Sequence, residues 1–234
     1  MSNQFTKNRE EVYKREEETH DDSHFDENRA NEVDILYSNG SFDNIYRAAN
    51  EVLGDIRDKE LLEYGCGVGR NLIDFCSRGA KYTGIDISNL RISNANEIIK
   101  SKNLQSTARA IKMNAEKLEF PDSSFDIVYG EAIIHHLDID IAMQEIRRVL
   151  KPGGFAMFLE PRGDNPVINR FRNRTPHLRT IDEHPLVKAD FDIMKKYAEI
   201  EEKNFYLLSL SSFVFRKLIK SELLFRINKA IYDK

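Results

Sequence analysis

The chain has 234 residues, 32% of them charged and 41% hydrophobic, and a formal net charge of −4. That suits one α/β domain with an appendage and a sizeable core, and nothing in it suggests a general nucleic-acid binder. Two cysteines, Cys66 and Cys76, are too few for a disulfide framework and lack zinc-site spacing.

The first thirty residues are charged and glycine-free, with eleven Asp/Glu against four Lys/Arg over residues 9–34. They read as a solvated helix or a mobile arm, with Val12, Tyr13, His20, Phe25, Leu36 and Tyr37 as candidate anchors. The polar start MSNQFTKNREE does not read as a signal peptide. Phe42, Ile45, Tyr46, Ala49, Val52 and Leu53 follow helical spacing, and Gly54 can end that helix.

Strand and helix signals then alternate. Leu61-Leu62-Glu63-Tyr64 is a strand, followed by a helical stripe of Val68, Leu72, Phe75 and Cys76 closed by Gly79. KYTGID (81–86) is a second strand, and Ser88 is a good N-cap for the next helix. ARAIKM (108–113) and FDIVYG (125–130) are the third and fourth strands. A helix from about Asp140 stops before Lys151-Pro152-Gly153-Gly154, and GFAMFLEP (154–161) is the fifth strand. The alternation predicts a parallel sheet with helices on both faces.

Beyond Pro161 the regularity is lost. Residues 162–179 hold five arginines and one aspartate, in a segment that reads as a long functional loop or cap. A helix at 189–199, a strand at 205–210 and an amphipathic tail helix at 213–232 complete the pattern. No apolar run approaches the ~20 residues of a transmembrane helix.

The stretch LLEYGCGVGRN places Gly65, Gly67 and Gly69 directly after the first strand. In a doubly wound sheet ligands bind at the carboxyl ends of the strands, and glycines let backbone approach a ligand without an intervening Cβ. Dinucleotides and S-adenosylmethionine both suit such a turn. The dinucleotide fingerprint G-x-G-x-x-G needs a third glycine where Arg70 stands, so the spacing favours the sulfonium ligand.

Five motifs in order, from about residue 58 to 161, resemble those of the class I S-adenosylmethionine-dependent methyltransferases, of the small-molecule, type 11-like group. They are LLEYGCGVGRN, GIDIS, Met113-Asn114-Ala115-Glu116 with Leu118-Glu119-Phe120-Pro121, SFDIVYGEAIIHHL and RRVLKPGGFAMFLEP. The resemblance implies a Rossmann-like, seven-stranded, mostly parallel sheet, with an N-terminal helical arm and C-terminal cap elements. It implies that Gly65, Gly67 and Gly69 pack beside the methionine part of the cofactor and that Glu63 helps hold its amino group. Asp86, twenty-one residues after Gly65, would accept from both ribose hydroxyls, a task that suits a bidentate acceptor. Ile87, Asn114, Ala115 and Glu116 would border the adenine, and Glu131 completes the cofactor set. Ile87 and Cys66 also have plain packing readings, as a core residue and a small turn residue.

On the acceptor side, His135 and His136 follow the fourth strand, and either could act as a general base. Adjacent helical residues diverge by about 100°, so only one is expected to face the cavity, and the sequence does not say which. Arg162, Arg170 and Arg174, with Arg172 and Arg179, supply fork-shaped donors for a carboxylate or phosphate; pairing with nearby acids such as Glu160 is the alternative. His177 and His184 lie in the same stretch, and a metal site is not expected there, since close ligand spacing is absent.

The expectation is therefore an N-terminal arm or lid (1–40), a cofactor-binding core (41–161) and an acceptor-binding cap that completes the sheet (162–234). The enzyme would be cytoplasmic, a monomer or homodimer, moving a methyl group from S-adenosyl-L-methionine to a small molecule and leaving S-adenosyl-L-homocysteine. Oxygen ranks first as acceptor atom, then nitrogen, then carbon. Methylation of RNA or protein, and cofactor binding without methylation, are the alternatives. The tail helix could cap the cavity, form a dimer face or touch a membrane surface.

Overall fold

The computed structural model describes residues 9–22, 43–164, 169–170, 173–174 and 184–204. Within them the elements run α1 (Arg9–His20), α2 (Asp43–Leu53), β1 (Glu60–Tyr64), α3 (Leu72–Ser77), β2 (Lys81–Asp86), α4 (Asn89–Ser101), β3 (Ala108–Lys112), β4 (Phe125–Glu131), a 3-10 turn (Ile134–His136), α5 (Ile139–Val149), β5 (Leu150–Leu159) and α6 (Lys188–Met194).

All strand pairings are parallel, in the order β3-β2-β1-β4-β5. The order reverses between β1 and β4, so the turn after β1 opens at the switch point where doubly wound sheets bind ligands. Five strands are present among the described residues rather than the expected seven, and the strand expected at 205–210 lies outside them. The tail helix at 213–232, Phe25, Leu36 and Tyr37 also lie outside them. No described helix is long and apolar enough to cross a membrane.

Period-two alternation splits the apolar residues between two cores. On one face Leu61, Tyr82, Ile127 and Tyr129 pack with Leu72 and Phe75 of α3 and Ile92, Ala95 and Ile99 of α4. On the other, Leu62, Tyr64, Ile85 and Val128 pack with Met143, Ile146 and Val149 of α5 and Met194 of α6. Helices thus cover both faces, as patterning required.

Local boundaries follow from capping chemistry. The Ser88 side chain accepts from the Arg91 N–H and starts α4, and Asp138 accepts from the Asp140 and Ile141 N–H groups to start α5. Two expectations shift. Val68 is not helical, because the backbone from Gly65 to Asn71 is spent on turns and α3 begins only at Leu72. The Lys151-Pro152-Gly153-Gly154 stretch is not a clean break either: α5 passes directly into β5, with a register irregularity opposite Phe125 and Ile127.

Residues 9–20 of the N-terminal segment form a helix with a buried face rather than a solvated one. Val12, Glu16 and His20, spaced four apart, form one buried stripe of α1. Its outer face carries the surface pair Lys14–Glu18.

Candidate active site

The turn after β1 is built by backbone conformation. Gly65, Gly67 and Gly69 all have positive φ, at 61°, 53° and 83°, a region that L-residues with a Cβ rarely enter. Two of them differ in what a side chain would meet. A Cβ on Gly65 would sit 2.9 Å from Ile133 Cδ1, whereas one on Gly67 would meet nothing within 4 Å. Gly67 therefore points its missing side chain into open space, the arrangement expected where a ligand lies against backbone.

Asp86 locks this turn to the end of β2. Its Oδ2 accepts the Gly67 N–H and its Oδ1 the Ser88 N–H, both at 2.9 Å. Each oxygen keeps acceptor capacity beyond its single backbone donor. Ile87, beside it, is half-buried.

Glu63 lies fully buried beneath the turn. It accepts from Asn71 Nδ2 at 2.7 Å and from the Tyr82 hydroxyl. Burial pushes its carboxyl up to about 7, against the pull of those two donors, and Glu131 and Asp86 add repulsion. Asn71 also approaches Glu131 at 3.5 Å, and Glu131 accepts from the Tyr46 hydroxyl at 2.6 Å. Two acids, an amide and two tyrosines thus form one polar layer under the glycines. Asn71, Tyr46 and Tyr82 were missed in the sequence because nothing local distinguishes a network tyrosine or amide from an ordinary one.

Cys66 is buried and its thiol is pushed far up by burial, with Glu63 and Asp86 reinforcing the shift. It packs as the small turn residue the sequence suggested.

Glu116 is buried, with its carboxylate fully engaged by the protein. It pairs with Arg9, accepts from the Tyr13 hydroxyl at 2.8 Å and accepts from the Asp138 N–H at 2.8 Å. Asn114 accepts the Glu116 N–H at 2.8 Å and Ala115 is buried beside them. Helix α1 thus docks on the loop after β3. It is fastened a second time where the Ser88 hydroxyl donates to Asp21 at 2.6 Å and the Leu90 N–H donates to the same oxygen at 3.1 Å. Glu17 pairs with Lys112 and accepts from Asn89. Tyr13 and His20, named from sequence, both belong to this docked face; Arg9 and Glu16 were hidden in an acidic run that reads as solvated.

The two histidines have different surroundings. His135 is 2% exposed, and its Nδ1 lies 2.7 Å from Glu160 Oε2. The other Glu160 oxygen accepts the Ile133 and Ile134 N–H groups at 2.9 and 2.8 Å. His136 instead places Nδ1 3.2 Å from Glu16 Oε2 on α1. The two rings lie 4.2 Å apart, and His20 stands edge-on to His136 at 6.1 Å.

The arginine-rich segment is described only in part. Arg162 pairs with Asp164 and, at 2.8 Å, with Glu202, and stacks 4.5 Å over Phe191. It is thus paired with neighbouring acids, not with Glu160. Arg170 and Arg174 are exposed, and Arg172, His177 and Arg179 lie outside the described residues. His184 is half-exposed, 3.7 Å from Asp190, and its N–H donates to the His135 carbonyl at 2.9 Å. The chain therefore leaves beside β5 at Arg162 and returns at Leu186, which bridges back to it, against the 3-10 turn.

Comparison with known proteins agrees with this geometry. Residues 62–158 match the family described as a methyltransferase domain. The chain is 34% identical over 94 residues to a sterol 4-C-methyltransferase of Caenorhabditis elegans, covering 40% of this chain and 28% of that one. It is 33% identical over 132 residues to an O-methyltransferase of Aspergillus nomiae, covering 53% and 59%. The YcgJ protein of Bacillus subtilis superposes with a TM-score of 0.55 at 25% identity, over 62% of this chain and 63% of that one. The chain spans between about a quarter and three-fifths of the length of these curated relatives. Through residues 62–158, with their parallel sheet, glycine turn and strand-end acids, the chain is similar to S-adenosylmethionine-dependent methyltransferases.

Proposed function

We propose that the protein transfers a methyl group from S-adenosyl-L-methionine to a small-molecule acceptor. The observation that carries this reading is the open space over Gly67, whose N–H is held by the buried Asp86, with the buried Glu63 on the strand that leads into the turn. Asp86 is suited to accept from a ribose diol and Glu63 to face an ammonium group, while the turn lets backbone contact the chain between them. Bound there, S-adenosylmethionine supplies an electrophilic sulfonium methyl. The protein's own part is to orient both partners, to exclude water and to take a proton from an acceptor that carries one.

Residues 1–40 serve as a lid and residues 162–234 as the acceptor side in this reading. Docking of α1 on Ser88 and Glu116 supports the lid. The exposed Arg170 and Arg174, in a segment whose two ends lie side by side next to the 3-10 turn, support an acceptor with a carboxylate or phosphate. Relatives named for oxygen and for carbon methylation leave oxygen as the first atom to test.

Calorimetric titration with S-adenosylmethionine, S-adenosylhomocysteine and NAD tests the reading. Micromolar binding of both sulfur ligands and none of NAD is expected. Binding of NAD alone, or of none of the three, overturns it.

A further inference from the structure

His135 and His136 present the same arrangement, an imidazole Nδ1 against a carboxylate, but their carboxylates have different origins. Glu160 reaches His135 from the end of β5 and braces the backbone of the 3-10 turn with its second oxygen. That unit is part of the core. Glu16 reaches His136 from α1, a separate helix that is fastened to the end of β2 through Asp21 and to the β3 loop through Arg9 and Tyr13.

We infer that Glu16 is the positioning residue of His136, and that the acceptor base of this methyltransferase is complete only while α1 is docked. The inference rests on the methyl-transfer reading given above. A carboxylate at Nδ1 holds the neutral ring in the tautomer with Nδ1–H, which leaves the lone pair on Nε2. In the step this serves, an acceptor hydroxyl loses its proton to Nε2 while its oxygen forms a bond to the cofactor's methyl carbon. The carbon–sulfur bond breaks, and its electron pair stays on sulfur as the neutral thioether. Protons, electrons and the methyl group are all accounted for by the acceptor, His136 and S-adenosylmethionine.

His135 is excluded from this role by its brace. The carboxylate facing it is already committed to two backbone amides of the 3-10 turn, and the His135 side chain is 2% exposed against 8% for His136. Among the described residues, the titratable groups that face His136 include Glu16 and His20 on α1, His135 beside it and Glu160 behind His135. Glu16 Oε2 lies 3.4 Å from His20 Nε2 as well as 3.2 Å from His136 Nδ1, so His20 is the competing partner. The arrangement also explains why a buried face of α1 carries an acid at all. Among Val12, Glu16 and His20, only the first is the apolar residue a docking stripe requires.

The test uses the full chain, labelled with 15N-histidine and saturated with S-adenosylhomocysteine, and needs no acceptor. His136 is expected in the Nδ1–H tautomer with a downfield Nδ1 proton. Glu16→Gln should abolish that signature while leaving the His135 signals and S-adenosylhomocysteine affinity within about two-fold of wild type. Arg9→Ala combined with Tyr13→Phe, which loosens α1 from Glu116, should weaken the same His136 signal and spare His135. Lys14→Ala, on the outer face of α1, should change nothing. With a phenol as acceptor probe, Glu16→Gln should lower kcat by about 10- to 100-fold with KM little changed. An Nε2–H tautomer in the wild-type protein overturns the inference, as does a Glu16→Gln spectrum in which only His20 responds. Absence of S-adenosylhomocysteine binding overturns the parent reading together with this one, and the missing titration heat tells that case apart.

Discussion

The carboxylate of Asp86 accepts the backbone N–H of Gly67 at 2.9 Å, which joins the end of β2 to the glycine turn after β1. The acid proposed to hold the ligand's ribose therefore also sets the turn beside it. Replacing Asp86 with Ala removes both functions at once. Affinity for S-adenosylhomocysteine should fall by about 1–3 kcal/mol, roughly 5- to 150-fold, as expected for charge-assisted bonds, with a smaller loss of thermal stability. Titration calorimetry beside a melting curve separates the two.

Glu63 gives the protein a pH dependence of definite sign. Its folded-state pKa is raised to about 7, above the ordinary Glu value near 4.3. Between those values the folded state holds a proton that the unfolded state has lost, so stability falls as pH rises through the window and levels off above about 7. Glu63→Gln should flatten that slope in denaturant titrations at pH 5 and pH 8. Binding should behave oppositely: affinity for a ligand bearing an ammonium group rises as Glu63 ionises towards pH 8, and the variant loses the rise.

Two glycines predict contrasting outcomes. A Cβ at Gly67 meets nothing within 4 Å, whereas one at Gly84 falls 2.6 Å from the Tyr82 hydroxyl and 2.8 Å from Cys66. Gly67→Ala should cost about 1–2 kcal/mol of stability for its left-handed backbone and, on the proposed function, a larger fraction of cofactor affinity, because its methyl enters the open space assigned to the ligand. Gly84→Ala has no positive φ to blame and should still destabilise by about 1–3 kcal/mol through overpacking. Chemical denaturation of both variants, with calorimetry on the folded ones, checks the contrast.

Glu160 should prove structural. Glu160→Ala strands the Ile133 and Ile134 amides and the His135 ring nitrogen in a nearly closed site. A loss of at least about 2 kcal/mol is expected, since each buried unsatisfied group costs about 1–3 kcal/mol. A variant with unchanged denaturation midpoint would contradict the brace assigned to it.

The core was legible in the sequence because period and punctuation are local properties. Strand–helix alternation, Ser88 as a cap, the glycine spacing with Arg70, and an acid at the end of KYTGID were enough to place a parallel sheet and the glycine turn after its first strand. The roles of His135 and His136 were not legible, because two neighbouring histidines differ only in what lies beyond them, and those partners are 25 and 120 residues away in the chain. Nor could composition show that one stripe of a highly charged helix is buried: Glu16 looks like its solvated neighbours until α1 docks. Sequence by itself determined the architecture and the turn, which depend on residue type and spacing. Tertiary structure decided which carboxylate meets which histidine and which acids are already paired, because burial and long-range proximity exist only once the sheet has brought its carboxyl ends together beneath α1.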